Sequence, residues 1–195
     1  MSKVLIACEE SQAVTIEMRK LGIEAYSCDT EPCSGGHPEW HLQQDVIPLL
    51  NKDWSMIIAF PPCTYISNAG ARFLYPKGIL DNGRLELGKT GKKLFMKLIN
   101  ANIPKICIEN PIHSKIFNIP KHTQQIQPYE FGHPVQKKTR LWLKNLPELV
   151  PTNIVNVKQR TKVPGNWFNK GGKERQKNRS KTFQGISEAM ANQWG

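Results

Sequence analysis

No apolar run in this chain approaches the roughly 20 residues needed to cross a bilayer. The opening "MSKVLIACEESQ" also lacks the pattern of a secretory leader. These two absences lead us to expect a cytoplasmic protein with no membrane partner. Cysteines are few and badly placed for a disulfide framework: Cys8, Cys28, Cys33, Cys63 and Cys107 are odd in number and scattered, which suits a reducing compartment. Acids are scarce as well. Sixteen Asp and Glu face 27 Lys and Arg, and the net charge of +11 directs attention to polyanionic partners.

The basic excess is uneven. Residues 158–181 hold nine Lys or Arg against the single acid Glu174. A solvated tail would read the same way, but "NWFNKGGKERQKNRSKTF" mixes aromatics and paired glycines with its cations. Cations, stacking rings and a pliable backbone together suit a nucleic-acid phosphate track. The substrate-side candidates here are Lys173, Arg175, Lys177 and Arg179, with Trp167 or Phe168 available for stacking.

What is present is a repeating strand-and-helix pattern. "KVLIA" (3–7) reads as a buried strand, and "SQAVTIEMRKLG" carries Val14, Met18 and Leu21 at helical spacing before Gly22. "IEAYSCD", "WSMIIAF" and "KICIEN" read as further strands, the last preceded by a helix through "GKKLFMKLINANI". The alternation predicts an α/β protein, a mainly parallel sheet with helices on both faces. "IQPYEF" and "KTRLWL" are expected to add two more strands. We divide the chain into a core over 1–143, a basic loop-rich segment over 144–182 and a closing helix over 183–195.

Ligand sites in such sheets lie at the carboxyl ends of the strands. Asp29, Pro61, Pro62, Cys63, Glu109 and Asn110 all fall there. Two prolines before Cys63 stiffen the backbone that presents the thiol, and Ser67 and Gly70 would permit close approach of a ligand. A phosphatase loop would need arginine at position 69, which is alanine, and no local signature pairs Cys63 with a histidine. A carboxylate closing the apolar run "KICIEN" can hold a ring nitrogen and its proton, although an ordinary solvated strand end reads alike. In "FGHPVQKKTRLWL", alternation would project Gln136, Lys138 and Arg140 from one face of a strand.

These residues resemble, in order and spacing, the cytosine-C5 DNA methyltransferase family. Its Pro-Cys-Gln-x-Phe-Ser-x-x-Gly motif is similar to Pro62, Cys63, Thr64, Ile66, Ser67 and Gly70, with Thr for Gln and Ile for Phe. Its Glu-Asn-Val motif resembles Glu109, Asn110 and Pro111, and its Gln-x-Arg-x-Arg motif resembles Gln136, Lys138 and Arg140. The closing motif has a loose echo in "FQGISEAMA", which contains Ser187.

The resemblance implies a Rossmann-like methyltransferase fold and S-adenosylmethionine as cofactor. The cofactor would be held by Cys8, Glu9, Glu10, Asp29, Asp45, Pro61 and Ser187. It implies Cys63 as nucleophile, Glu109 and Arg140 acting on the base, and Pro62 and Asn110 shaping the catalytic loop. The substrate would be a flipped cytosine in DNA.

The chain departs from the family twice. Its first loop, "ACEESQ", has no glycine where the family has several, and only residues 144–182 stand where a recognition region would lie. Specificity would then be relaxed, very short, or borrowed from a protein partner or a second copy of the chain. The alternatives are a non-catalytic DNA- or S-adenosylmethionine-binding protein on this fold, and an enzyme acting on cytosine in RNA.

"CDTEPCSGGHPEWH" spaces Cys28, Cys33, His37 and His41 by five, four and four without a compact Cys pair. A cofactor-covering loop is preferred there to a zinc site, and no metal is expected. "RFLYPKGILDNGRLELGKTGKK" (72–93) reads as a glycine-rich mobile loop beside Cys63.

If the basic segment tracks phosphates, replacing Lys173, Arg175, Lys177 and Arg179 together weakens DNA binding for every sequence tried and flattens its salt dependence. Binding isotherms across a salt series check this, and parental behaviour at every salt overturns it.

Overall fold

The computed structural model describes residues 3–157 and 181–195. Residues 158–180 of the basic segment, with Trp167, Phe168, Lys173, Arg175, Lys177 and Arg179, lie outside the described residues. A seven-stranded sheet runs through the molecule: β1 (Lys3–Ala7), β2 (Glu24–Asp29), β3 (His41–Gln43), β4 (Met56–Ala59), β5 (Lys105–Asn110), β6 (Gln124–Ile126) and β7 (Thr139–Lys144). Their spatial order is β3-β2-β1-β4-β5-β7-β6. The first five pair in parallel, and β7 runs antiparallel to both β5 and β6. The expected Rossmann-like architecture is therefore the one observed.

Strand alternation sorts the side chains into two cores. Val4, Ile6, Met56, Ile58 and Cys107 point to one face, where α1 (Ala13–Lys20) and the C-terminal helix (Gln184–Trp194) pack through Val14, Met18, Ala189, Met190 and Trp194. Leu5, Ala7, Ile57, Ala59, Ile106 and Ile108 point to the other, against Phe95 and Leu98 of a helix over Asn82–Ile99. Central strands buried on both faces read as unbroken apolar runs, which is why they were legible.

Between these elements lies a one-turn helix, α2 (Asn68–Ala71), so the long helix Asn82–Ile99 is α3 and the C-terminal one α4. Two expectations fail here. "IQPYEF" is a strand only at Ile126; Pro128 then starts a 3-10 turn over Pro128–Glu130, as proline at a helix start favours. The segment 72–93 is largely ordered helix. Two of its glycines serve close packing: a methyl on Gly88 would overlap the Phe117 ring, and one on Gly91 would lie 3.2 Å from Ile66 Cγ2. Phe117, Ile66 and Leu74 form a third small core, with Leu85 and Cys63 against it.

Gly88→Ala is accordingly expected to destabilise the protein by about 1–2 kcal/mol, because overpacking a buried ring outweighs the ~1 kcal/mol gain in helix propensity. Gly83→Ala, whose new methyl meets only Asp81 Oδ1 at 3.4 Å, is expected to be neutral or to stabilise. Paired thermal melts distinguish the two.

Candidate functional site at the carboxyl edge of the sheet

Strand order reverses between β1 and β4, so the crevice of the fold opens between the loops that follow them. The loop after β1 turns twice through left-handed backbone, at Cys8 (φ 58°) and Gln12 (φ 57°), positions that glycine usually takes. Glu9 is turned inward. Its carboxylate accepts from Val14 N (2.7 Å), Thr15 N (3.3 Å) and Thr15 Oγ1 (2.7 Å), closing the start of α1. Burial nevertheless pushes its pKa up to about 7, against the pull of those bonds. Glu9 thus holds the start of the helix.

Fully buried Gln12 clasps the next loop by donating from Nε2 to the His37 carbonyl (2.8 Å) and accepting at Oε1 from His37 N (3.1 Å). Ser34 N donates to the carbonyl of Glu10 (2.7 Å), drawing residues 34–37 over the loop after β1. Gly35 is required, since a side chain there would come within 2.6 Å of Gln12 Cβ. Cys8, Asp29 and Asp45 gather nearby. Burial first, then Asp29, Cys28 and Asp45, push the Cys8 thiol up to about 12, so it stays protonated. Asp29 and Asp45 are partly or fully exposed, and each accepts one backbone N–H from its own turn.

The loop after β4 is tied to β5 by one side chain. Asn110 is buried, and its Nδ2 donates to the carbonyl of Pro61 (2.9 Å) and to that of Glu109 (2.9 Å). Its Oδ1 can only accept, so His113 Nε2, at 2.8 Å, carries the proton. The His113 ring stacks on Trp142 (4.9 Å) and meets the edge of Phe95 (5.2 Å). Burial, then Arg140, push its pKa down to about 4. Pro62 is exposed, and Cys63 is half-buried against the third core.

Ser67 and Gly70 serve the loop itself. Ser67 Oγ accepts from Gly70 N (3.2 Å), and a methyl on Gly70 would overlap the Thr64 carbonyl.

Glu109 faces the opposite side of the sheet from Arg140. Register pairs Glu109 with Leu141 and Asn110 with Arg140, and directly opposed residues share a face. Arg140 therefore lies on the Asn110 side, while Glu109 lines a small pocket with Lys137, Thr139, Lys181, Thr182, Phe183 and Ile186. Burial raises the Glu109 pKa, and Lys137 partly opposes the rise.

The expected alternation of Gln136, Lys138 and Arg140 fails because β7 begins only at Thr139. Gln136 instead lines a separate cleft of about 450 Å³ with Tyr129 and residues 154–157, and Lys138 is exposed. Ser187, fully buried in α4, donates to the Phe183 carbonyl (3.3 Å).

Lys137, His113 and Gln12 were not singled out from the sequence. Only the proximity of His113 to "KICIEN" could have pointed to one of them. The four Cys and His of residues 28–41 do not converge: Cys28 Sγ donates to the Gln44 carbonyl, His41 Nδ1 meets Ser27 Oγ, and His37 stacks on Trp40. Among the described residues no cluster suited to a metal ion is found, and no helix is long and apolar enough to span a membrane.

No protein-family profile matches the chain, and no curated protein matches it. Among solved structures it is similar to a prophage-encoded E. coli protein provisionally described as a DNA modification methyltransferase. The identity is 15% and the TM-score 0.48, over 80% of this chain and 52% of that one, so the chain spans about half the length of that structure.

Glu9 and His113 have opposite effects on stability against pH. A raised folded pKa at Glu9 means stability is lost as pH rises from about 4.5 to about 7. A lowered folded pKa at His113 means stability is lost as pH falls from about 6.5 to about 4. Relative to the parent, Glu9→Gln should gain up to about 3 kcal/mol as pH rises through its window, and His113→Asn should gain as pH falls through its own. Denaturant unfolding at stepped pH checks both; parallel stability curves overturn the assignment.

Proposed function

We propose that the chain transfers a methyl group from S-adenosylmethionine to C5 of cytosine in DNA, with Cys63 as nucleophile. The observation that carries this reading is the Asn110 side chain, which binds the carbonyl of Pro61 and thereby ties the Cys63 loop to the strand that presents Glu109. Support also comes from the sheet, parallel through its first five strands with β7 reversed, and from the motif order along the chain.

Bound at the strand ends, S-adenosylmethionine would supply an electrophilic methyl on sulfonium. Asp29 and Asp45, after β2 and β3, are the carboxylates placed to take its ribose and adenine polar groups, with Glu10 and Pro61 at the same edge. This donor set fits a cationic, polyhydroxylated ligand. Cys8 and Ser187 fit less well: the first is a protonated thiol, and the second already uses its hydroxyl.

Cytosine C5 is a weak nucleophile. Addition of the Cys63 thiolate to C6 places an electron pair at C5, which then takes the methyl. A water molecule then takes the C5 proton, which expels the thiolate and restores the aromatic ring, and the cofactor would leave as the neutral thioether. Glu109 assists if protonated, since a neutral carboxyl can donate to N3 as the thiolate adds. Its raised pKa favours that form. Lys137 supplies the cation beside Glu109, whereas Arg140, on the opposite, Asn110 face near His113, is assigned no contact to the same ring.

A second reading, a binding protein without turnover, is favoured by two observations: the Gln12 clasp over the first loop, and the packing of Cys63 against the third core. Action on RNA is the third.

Cys63→Ala should abolish transfer of labelled methyl to mixed DNA while the fold, read by thermal melting, is kept. Undiminished transfer rules the nucleophile out. Calorimetry with S-adenosylmethionine separates the first two readings, since heat of binding with no turnover on DNA or RNA selects the second.

A further inference from the structure

The segment following Cys63 holds large aromatic side chains at the surface. Phe73 and Tyr75 are each 51% exposed, yet Leu74 between them is fully buried in the third core. The backbone beneath them is fixed: Leu74 N bonds Ala71 O, Asp81 N bonds Leu74 O (2.8 Å), and Asp81 closes the start of α3 by accepting from Arg84 N (2.9 Å). The aromatic surface is thus held on a rigid support.

Cations and rings alternate on that support. The Arg84 guanidinium lies 4.9 Å from the Tyr65 ring and 5.2 Å from the Phe73 ring, and the Arg72 guanidinium lies 4.6 Å from Phe73. The result is a ladder, Tyr65, Arg84, Phe73, Arg72, that begins two residues after Cys63.

Among the described residues neither arginine joins a carboxylate. Arg84 donates from Nη2 to the Gly70 carbonyl (3.2 Å), but its Nε is buried with no acceptor. The surroundings are cationic: residues 72–93 hold six Lys or Arg against Asp81 and Glu86, and those two acids are engaged by the α3 cap and by Lys89.

We infer that this ladder is a binding site for an unpaired nucleotide of a nucleic-acid strand. Its base stacks on the exposed Phe73 and Arg72 end, and its phosphate meets the exposed Arg72 guanidinium. The inference rests on the reading above only in taking a nucleic acid as substrate. It adds where the strand is gripped beside the reacting base. Guanidinium planes and aromatic faces both stack on bases without regard to sequence, so the site adds affinity for an opened strand and no sequence preference.

The test uses the full chain without S-adenosylmethionine. A fluorescein-labelled single strand, and the same strand in duplex, are titrated by anisotropy over a salt series. Phe73→Leu keeps the apolar bulk and removes the ring; it should weaken single-strand binding about tenfold with an unchanged salt slope. Arg72→Gln, at an exposed position where the fold is not at risk, should weaken it and lower the salt slope by about 0.7. Duplex binding should change less in both.

Parental single-strand affinity in both variants at every salt overturns the inference. So does self-association of the parent, seen by sedimentation, that Phe73→Leu abolishes, because the surface would then join copies of the chain. Failure of the methyl-transfer reading is seen separately, as undiminished transfer in Cys63→Ala.

Discussion

The geometry of the carboxyl edge depends on one buried amide. Asn110 can be accommodated in the interior only if its donors and its acceptor are all met, since an unmet buried amide group costs about 1–3 kcal/mol. The partners it finds belong to different elements: the carbonyl of Pro61 beyond β4, the carbonyl of Glu109 in its own strand, and His113 in the turn that follows. Satisfying one side chain therefore fixes the distance between two strand ends. It also sets the tautomer of His113, whose ring is in turn packed between Trp142 and Phe95. The loop that carries Cys63 inherits its position from this chain of contacts.

Much of the fold was legible in the sequence because central parallel strands leave an unmistakable trace. "KVLIA" and "KICIEN" coincide with β1 and β5, and "WSMIIAF" contains β4. Three features were hidden. β3 is three residues long and half-exposed, so it has no apolar signature. The glycines of α3 looked like flexibility, whereas Gly88 and Gly91 mark where Phe117 and Ile66 approach the helix, which only tertiary packing reveals. The polar run before β7 suggested alternation, but alternation holds only inside a strand, and Thr139 is where this one starts.

The site was legible to a similar depth. Residue types at strand ends named Cys63, Glu109 and Asn110 correctly as strand-end groups, and the structure brings Asn110 to the Cys63 loop as a direct partner. Which face a residue occupies was not legible. Glu109 and Arg140 lie on opposite faces, a result of the β5–β7 register, and that register is set by contacts distant in sequence. Lys137 stands beside Glu109 for the same reason.

The inward turn of Glu9 has a consequence for ligand choice. The amino end of a helix following the first strand of such a fold is the usual seat of a pyrophosphate, whose charge the free N–H groups and the helix dipole attract. Here Val14 N and Thr15 N already donate to a carboxylate of the chain itself. A phosphate arriving there would find its donors taken and meet an acidic group in their place. The chain's own carboxyl group fills that seat, so the first turn of α1 has neither Val14 N nor Thr15 N left to offer an incoming anion.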